Sequence, residues 1–168
     1  MAFDIKTILY ATDLGPRGPD VFRCVIGIAE RFEAAIHIVH VVEEPRYMRN
    51  QIQAQAAERF IDPSLLSNYQ KSTLDEVEED LRKRLDQFGR TLLDAADASA
   101  AHIAGVHVRQ GRAPKEILAE ADRLDADCII MGSHRYSAVG EMIIDSVARK
   151  ITMKSTRPVL IFPVRRSA

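Results

Sequence analysis

Tryptophan is absent from this 168-residue chain and cysteine occurs only twice, and both scarcities narrow the classes of protein to which it can belong. Without tryptophan, and with six phenylalanines scattered along the chain, the sequence lacks the aromatic series that stacks on single-stranded nucleic acid. Cys24 and Cys128 lie far apart in apolar segments, without the spacing of a metal-binding or redox pair. We therefore expect both cysteines to be buried as small apolar residues.

An excess of charge of one sign is also missing. The formal net charge is -1, and no block of lysine and arginine residues occurs, so a surface for duplex nucleic acid is not favoured. No apolar run approaches the roughly 20 residues that span a bilayer. Residues 1–6 lack the basic segment and apolar run of a secretion signal. These features predict a single cytoplasmic domain over residues 1–168.

The motifs of common hydrolases and nucleotide-dependent enzymes are missing too. The chain has no Gly-x-Ser-x-Gly elbow, no Walker loop, and no Gly-x-Gly-x-x-Gly after its first predicted strand. Ser133 is followed directly by His134 in the chain. Adjacency in sequence does not place a histidine as the general base of a serine, so this pair does not indicate a hydrolase site. The residues therefore favour no catalytic reaction, and their spacing predicts no transition-metal site.

The chain does contain a regular alternation of short apolar strands and amphipathic helices. The predicted strands cover Thr7–Ala11, Ala35–Val42, His102–Arg109, Cys128–Met131 and Pro158–Phe162. Strict alternation with short connections predicts an α/β fold, in which a doubly wound open sheet of parallel strands carries helices on both faces. The looser alternation of the third strand predicts a position at an edge of this sheet.

The helices between these strands have recognisable starts and faces. Pro19 and Pro114 suit the first turn of a helix. Backbone N–H groups in that turn have no acceptor within the helix, so proline, which lacks an N–H, costs no hydrogen bond there. Thr73-x-x-Glu76 has the form of a capping box and predicts the start of a further helix. The acidic residues 78–80 each precede a cation by four positions, which predicts ion pairs along a solvated face of that helix.

Residues from about 43 to 72 form the least regular part of the sequence. Two prolines interrupt this stretch, and only Gln51–Phe60 has a weakly helical pattern. A segment of this length is unusual as a loop within one compact domain. We interpret it as an insertion with one loosely packed helix, which covers a site or an interface.

Two histidines lie on the second predicted strand. His37 and His40 are three positions apart, and side chains alternate along a strand, so their rings point to opposite faces. The two rings therefore cannot bind one metal ion. We expect each histidine to make a local hydrogen bond.

A ligand crevice is predicted where the first and fourth strands end. In a doubly wound sheet, ligands bind at the carboxyl ends of the strands, at the point where the strand order reverses. The first strand leads to Asp13 and the fourth to Gly132, and the second ends near Val41. Asp13 has two roles open to it: it can accept hydrogen bonds from a ribose or a base, or it can tie the turn over residues 12–15.

Several of these segments, taken in order, resemble the universal stress protein family. The resemblance is carried by Ile8–Asp13, His40–Val42, the set Gly111, Pro114 and Ile117, Ala126–His134, Ser146–Val147 and Arg157–Ile161. It implies a Rossmann-like sheet of five parallel strands in the order 3-2-1-4-5. It also implies a homodimer formed through the last strand, at Val159, Leu160, Ile161 and Phe162. An apolar edge strand left unpaired would favour aggregation, which agrees with such a dimer.

One branch of that family binds ATP through a pattern of Gly, two residues, Gly, nine residues, Gly and Ser or Thr. In this chain the first glycine matches Gly132 and the hydroxyl position matches Ser146, but Arg135 and Asp145 stand at the other two glycine positions. The resemblance implies adenosine contacts at Asp13, Val41 and Met131. The whole implied nucleotide site comprises Ala11, Thr12, Asp13, Val41, Met131, Gly132, Ser133, His134, Arg135, Ser146 and Val147.

The two replaced glycines leave more than one interpretation open. Arg135 and Asp145 can pair with each other and fill the phosphate cradle, since phosphate needs bare backbone N–H groups there. Such a protein would be a regulatory stress-response dimer that acts through partner proteins and does not bind ATP tightly. Alternatively, Arg135 binds phosphate, and the chain senses AMP or ATP, with Mg²⁺ needed only for ATP. Both side chains can also simply face the solvent.

Overall fold

The computed structural model describes residues 4–43, 63–133, 135–136, 142–143 and 146–163, with only the backbone at 63–74, 135–136 and 142–143. The strands are β1 (Thr7–Ala11), β2 (Ala35–Val42), β3 (His102–Gln110), β4 (Cys128–Ser133), β5 (Arg135–Tyr136), β6 (Met142–Ile143) and β7 (Val159–Pro163). The helices are α1 (Gly18–Phe32), α2 (Pro63–Ala95), α3 (Ala113–Arg123) and α4 (Ser146–Lys154). No helix within these ranges is long and apolar enough to cross a membrane.

The five long strands form one parallel sheet in the order β3-β2-β1-β4-β7. This is the predicted order 3-2-1-4-5, and β3 lies at an edge as expected. At the centre, Ile8 of β1 pairs with Ile36 on one side and Cys128 on the other. After Thr7, β1 is buried and almost entirely apolar, as expected of a strand that helices cover on both faces.

The core consists of two apolar layers, one on each face of the sheet. Residues of β1 alternate between them: Ile8 and Tyr10 face the layer of α1 and α2, and Leu9 and Ala11 face the layer of α3 and α4. The first layer also contains Phe22, Val25, Ile38, Leu85 and Ile130, and the second contains Val39, Ile117, Ile129, Met131 and Ile151. Burying each large apolar side chain contributes roughly 1.5–3 kcal/mol to this packing.

The two cysteines differ in their exposure to solvent, so the expectation that both are buried is wrong for one of them. Cys128 lies in β4 and is buried, and burial raises the pKa of its thiol to about 11. Cys24 is exposed, because the helical repeat of α1 places it on the outer side with Arg23 and Gly27. Apolar neighbours along the chain are therefore a poor guide to burial on an amphipathic helix.

Helix α2 corrects two further expectations. It begins at Pro63, so the predicted capping box at Thr73 and Glu76 lies inside a continuous helix, and residues 63–72 belong to that helix. No glycine or proline follows Pro63 until well past Thr73, so nothing in the sequence interrupts the helix there. The predicted helical patch at 51–60 lies outside the described residues.

The predicted ion pairs along α2 are present. Glu78 lies 3.4 Å from Arg82, Glu79 lies 3.6 Å from Lys83, and Asp80 lies 2.7 Å from Arg84. These pairs are on the solvated face of the helix, where each contributes little to stability.

Candidate functional site

A crevice of about 230 Å³ lies at the carboxyl ends of β1, β2 and β4. Its walls are formed by Tyr10, Ala11, Thr12, Asp13, Gly18, Val21, His40, Val41, Glu43, Ala113, Ile117, Met131, Gly132 and Val147. Seven residues of the predicted nucleotide site are among them: Ala11, Thr12, Asp13, Val41, Met131, Gly132 and Val147. The switch point of the sheet therefore forms a cavity where the sequence places it.

The other predicted site residues are only partly placed. Ser133 ends β4 and is buried, and Ser146 is the exposed first residue of α4; neither lines the crevice. Arg135 lies on β5, of which only the backbone is described. His134 and Asp145 lie outside the described residues, so the pairing of Arg135 with Asp145 stays a hypothesis.

Between β4 and α4 the described residues form a short two-stranded ribbon. β5 and β6 pair antiparallel, with Arg135 opposite Ile143 and Tyr136 opposite Met142. The replaced glycine position at 135 therefore lies on a two-stranded ribbon that leaves the carboxyl end of β4. Two residues per strand are too few to give a periodic signal in the sequence.

Asp13 ties the turn that follows β1. One of its carboxylate oxygens accepts a hydrogen bond from Gly15 N at 2.9 Å, and Thr12 Oγ1 accepts one from Leu14 N at 3.1 Å. A Cβ atom at position 15 would lie 2.9 Å from Asp13 Oδ1, so a side chain there would push the carboxylate away from its present position. Of its two predicted roles, tying the turn is confirmed. A carboxylate accepts several hydrogen bonds, so this role is compatible with binding a ligand.

His40 faces the crevice from β2 with a defined tautomer. Its Nδ1 lies 2.8 Å from the carbonyl oxygen of Thr12, which can only accept a hydrogen bond. Nδ1 therefore carries the proton, and Nε2 is a hydrogen-bond acceptor. The expected local hydrogen bond of His40 is confirmed, but its place in the crevice wall was missed. Its position next to Val41, at the end of a central strand, was the available signal.

Tyr10 lies at the base of the crevice and stays neutral. Its hydroxyl donates a hydrogen bond to Gly18 O at 3.2 Å, and its ring packs on Phe22 with centroids 5.2 Å apart. Burial raises the pKa of Tyr10 to about 12. The hydroxyl therefore fixes the start of α1 and does not act as a base near neutral pH.

Glu43 reaches across the crevice rim to helix α3. Its Oε1 accepts a hydrogen bond from Ala113 N, the first backbone N–H of that helix, at 2.9 Å. Arg112 precedes the helix but makes no side-chain cap. Glu43 therefore supplies the missing cap from a distant part of the chain.

A second polar cluster lies away from the crevice, between the sheet and α3. His37 Nδ1 is 3.0 Å from His107 Nε2, and His107 Nδ1 is 3.1 Å from Glu120 Oε1. Arg109 and Arg123 also bind the Glu120 carboxylate, at 2.9 Å and 2.6 Å. His37 makes a hydrogen bond as expected, but not a local one, since its partner His107 lies 70 positions away on β3. Its partners come from other elements, so the cluster has no local sequence signal.

The charges of this cluster are set by burial and by the arginines. Burial favours the neutral acid of Glu120, but hydrogen bonds from Arg123 and Arg109 outweigh it and lower the pKa to about 2. Burial lowers the pKa of His107 to about 4, against the attraction of Glu120. Near neutral pH the cluster therefore contains a carboxylate, two guanidinium groups and neutral imidazoles.

Comparisons with known proteins agree with this fold. A model of the universal stress protein family matches residues 4–163 of the chain. The stress response protein NhaX of Bacillus subtilis is 24% identical over 168 residues, which cover 95% of this chain and 98% of that protein. The universal stress protein MJ0577 of Methanocaldococcus jannaschii is 23% identical, over 99% of this chain and 100% of that protein.

Solved structures of similar proteins have the same arrangement of strands and helices. A structure of MJ0577 superposes with a TM-score of 0.58 over 97% of this chain and 99% of that chain. A universal stress protein solved in complex with cAMP superposes with a TM-score of 0.58 at 16% identity, over 96% of this chain and 99% of that chain. At these identities the superpositions show a shared fold.

Proposed function

The chain belongs to the universal stress protein family, and on that premise we propose that it is a regulatory stress-response protein whose crevice accepts the adenosine part of a nucleotide but does not hold ATP tightly. The observation that carries the proposal is the crevice itself. It is lined by Asp13, Val41 and Met131, while Arg135 and Asp145 stand where the ATP-binding pattern has glycine.

The adenosine half of the site has a suitable shape and chemistry. Apolar walls from Val41, Ile117, Met131 and Val147 suit a flat base, and the carboxylate of Asp13 suits a hydroxyl or amino donor. The cavity of about 230 Å³ is small for a ligand pocket, which suits a compact group such as a nucleoside. The crevice is thus a candidate nucleoside pocket.

The phosphate half is altered in two ways that act together. A side chain at position 135 or 145 occupies space that phosphate needs near the backbone. A carboxylate at the glycine position matched by Asp145 would also repel the phosphate oxygens. Tight ATP binding is therefore disfavoured unless Arg135 offsets both effects.

A second candidate function is an adenine nucleotide sensor that uses Arg135 as its phosphate ligand. A guanidinium group binds phosphate through two parallel hydrogen bonds. In its favour, a universal stress protein of the same fold has been solved in complex with cAMP, a nucleotide with one phosphate. Under this alternative the altered cradle suits AMP or a cyclic nucleotide better than ATP.

We propose that the regulator works in the cytoplasm as a homodimer joined through β7. This strand lies at the edge of the sheet, and Leu160 in its middle has 42% of its surface exposed. Pairing with a second copy would cover that apolar surface and satisfy the edge hydrogen bonds. Partner proteins would then recognise this dimer.

Calorimetric titration of the purified protein with adenosine, AMP and ATP tests the proposed function. We expect adenosine or AMP to bind and ATP to bind more weakly than either. The double change Arg135→Gly with Asp145→Gly restores bare backbone at both positions, so we expect it to strengthen ATP binding about tenfold or more while leaving adenosine unchanged.

Three results of this titration would count against the proposal. Micromolar ATP binding by the unchanged protein would show that the cradle is not blocked. Loss of AMP binding in the single variant Arg135→Gly, with adenosine binding kept, would favour the sensor. Failure of the double variant to gain ATP affinity would show that positions 135 and 145 do not control the phosphate site.

A further inference from the structure

The amino terminus of α3 lies in the crevice wall. The first backbone N–H groups of this helix donate hydrogen bonds to other groups of the same chain. Lys115 N and Glu116 N both donate to Arg112 O, at 2.9 Å and 3.0 Å. Pro114 has no N–H to offer. Ala113 N donates to Glu43 Oε1 at 2.9 Å. The first turn of the helix therefore has all of its N–H groups satisfied within the chain.

The carboxylate of Glu43, which accepts the hydrogen bond from Ala113 N, also lines the crevice. The amino end of a helix carries a partial positive charge and attracts anions, including ligand phosphates. Glu43 comes from the end of β2, far from α3 in sequence, and occupies that position. The crevice thus has a fixed negative charge where the helix alone would present an anion site.

The rest of the described wall favours a ligand that donates hydrogen bonds. Its charged side chains are the carboxylates of Asp13 and Glu43, and no lysine or arginine is among the described lining residues. The ring of His40 also lies in this wall. In the neutral ring Nε2 is the acceptor nitrogen, because Nδ1–H donates a hydrogen bond to Thr12 O. A ribose diol and an exocyclic amino group donate hydrogen bonds, whereas a phosphate near neutral pH only accepts them.

We propose that Glu43 is a specificity-determining residue of the crevice, which selects adenine nucleosides and monophosphates over nucleotides with two or three phosphates. The inference rests on the proposed function, since it names the ligand class that the same crevice takes. The mechanism is repulsion: each added phosphate brings negative charge toward a carboxylate that is held in place by its bond to α3. A nucleoside carries no such charge, so this carboxylate does not repel it.

The variant Glu43→Gln separates this charge from the shape of the side chain. Glutamine keeps the length of the side chain and an oxygen that can accept the bond from Ala113 N, but it carries no charge. Titrations with adenosine, AMP and ATP should show an unchanged affinity for adenosine and an affinity for ATP that rises about fivefold at low salt. The gain for ATP should shrink as salt is added, because ions screen the repulsion.

Two further variants serve as controls. Glu33→Gln makes the same change in net charge just after the end of α1, outside the crevice, and should leave all three affinities unchanged. Glu43→Asp keeps the negative charge and should preserve the preference for ligands of low charge. Thermal unfolding of each variant shows whether it retains the fold.

Each result of the titrations supports or overturns the inference. Equal changes for adenosine, AMP and ATP, a gain for ATP that Glu33→Gln reproduces, or a large loss of adenosine affinity in Glu43→Gln would overturn it. In each of those cases the proposed function stands, because adenosine still binds to the unchanged protein. If the unchanged protein binds none of the three ligands, both the proposed function and this inference are wrong.

Discussion

Gly105 makes possible the contact between the rings of His37 and His107 in the cluster around Glu120. It pairs with His37 across β2 and β3, and the ring of His107 lies beside both. A Cβ atom at position 105 would lie 2.8 Å from His107 Nε2 and 2.9 Å from His37 Nδ1. Even alanine would therefore displace a ring and break the hydrogen bond between the two imidazoles.

The change Gly105→Ala should lower the free energy of unfolding by about 1–3 kcal/mol, the usual range for overpacking a close-packed site. Urea unfolding measures it, with Gly27→Ala as the control. Gly27 lies on the exposed side of α1, where an added Cβ meets nothing within 4 Å. Alanine there should raise stability by about 1 kcal/mol because it favours helix. Equal midpoints for Gly105→Ala and the unchanged protein would refute the steric argument.

At the level of single residues, the sequence predicts those parts of the site that follow directly from strand ends. Asp13, Val41 and Met131 lie at or just beyond the ends of apolar strands, and the structure places all three in the crevice. Glu43 escaped prediction because its role depends on the amino end of a helix some 70 positions away, which comes near only in the fold. His40 escaped because its ring direction depends on the turn after β1.

At the level of elements, β7 is one of the two edge strands of the main sheet. It pairs with β4 along one side, from Ile129 with Val159 to Ser133 with Pro163, and it ends the strand order of the sheet. Its sequence is apolar, as in a strand covered on both sides, although it lies at an edge. An apolar edge of this kind is normally covered or paired, which is the basis of the proposed homodimer.

The change Leu160→Lys should convert the homodimer to a monomer, because a charged side chain in the middle of the strand opposes pairing with a second copy. Light scattering coupled to size-exclusion chromatography measures the mass. Val77→Lys is the control, since Val77 on α2 is 44% exposed, close to the 42% of Leu160. A monomeric unchanged protein, or a dimer that survives Leu160→Lys, would contradict assembly through β7.

The elements themselves were largely predictable, and the exceptions have physical causes. All five strands of the main sheet are found where the sequence predicts them: four from apolar runs, as buried parallel strands need, and the edge strand β3 from its looser alternation. The start of α2 was wrong because a Thr-x-x-Glu pattern can also occur inside a helix, where it caps nothing. The β5–β6 ribbon was not predicted, because strands of two residues are too short to show a periodic pattern in the sequence.

For the molecule as a whole, the cluster around Glu120 connects stability to pH. It joins β2, β3 and α3 through His37, His107, Arg109 and Arg123, and His102 lies close enough to disfavour the charged form of His37. Burial lowers the pKa of His37 as well as that of His107. On the opposite face, backbone N–H groups of Ala101, Ala100 and Ser99 lower the pKa of Glu30. Each of these pKa values is lower in the folded protein than in the unfolded chain. The unfolded chain therefore binds more protons in acid, and a low pH destabilises the fold.

Stability should therefore fall in two steps as the pH decreases. The pKa of His107 is about 4 in the folded protein against an ordinary 6.5, so the unfolded chain binds more protons between these values. The free energy of unfolding should drop by roughly 2–3 kcal/mol over that range. The pKa of Glu120 is about 2 against 4.5, so its contribution is present above pH 4.5 and is lost below it.

The variant His107→Gln isolates the first of these steps. Glutamine can donate a hydrogen bond to Glu120 but does not titrate, so the variant should lose less stability than the unchanged protein between pH 6.5 and pH 4.5. Urea unfolding midpoints at half-unit intervals of pH measure the two slopes. Below about pH 4 both proteins should lose stability together, because the unfolded chain binds a proton at Glu120 there and the folded protein does not. Parallel curves over the upper range would show that His107 is not the group that makes the fold sensitive to acid.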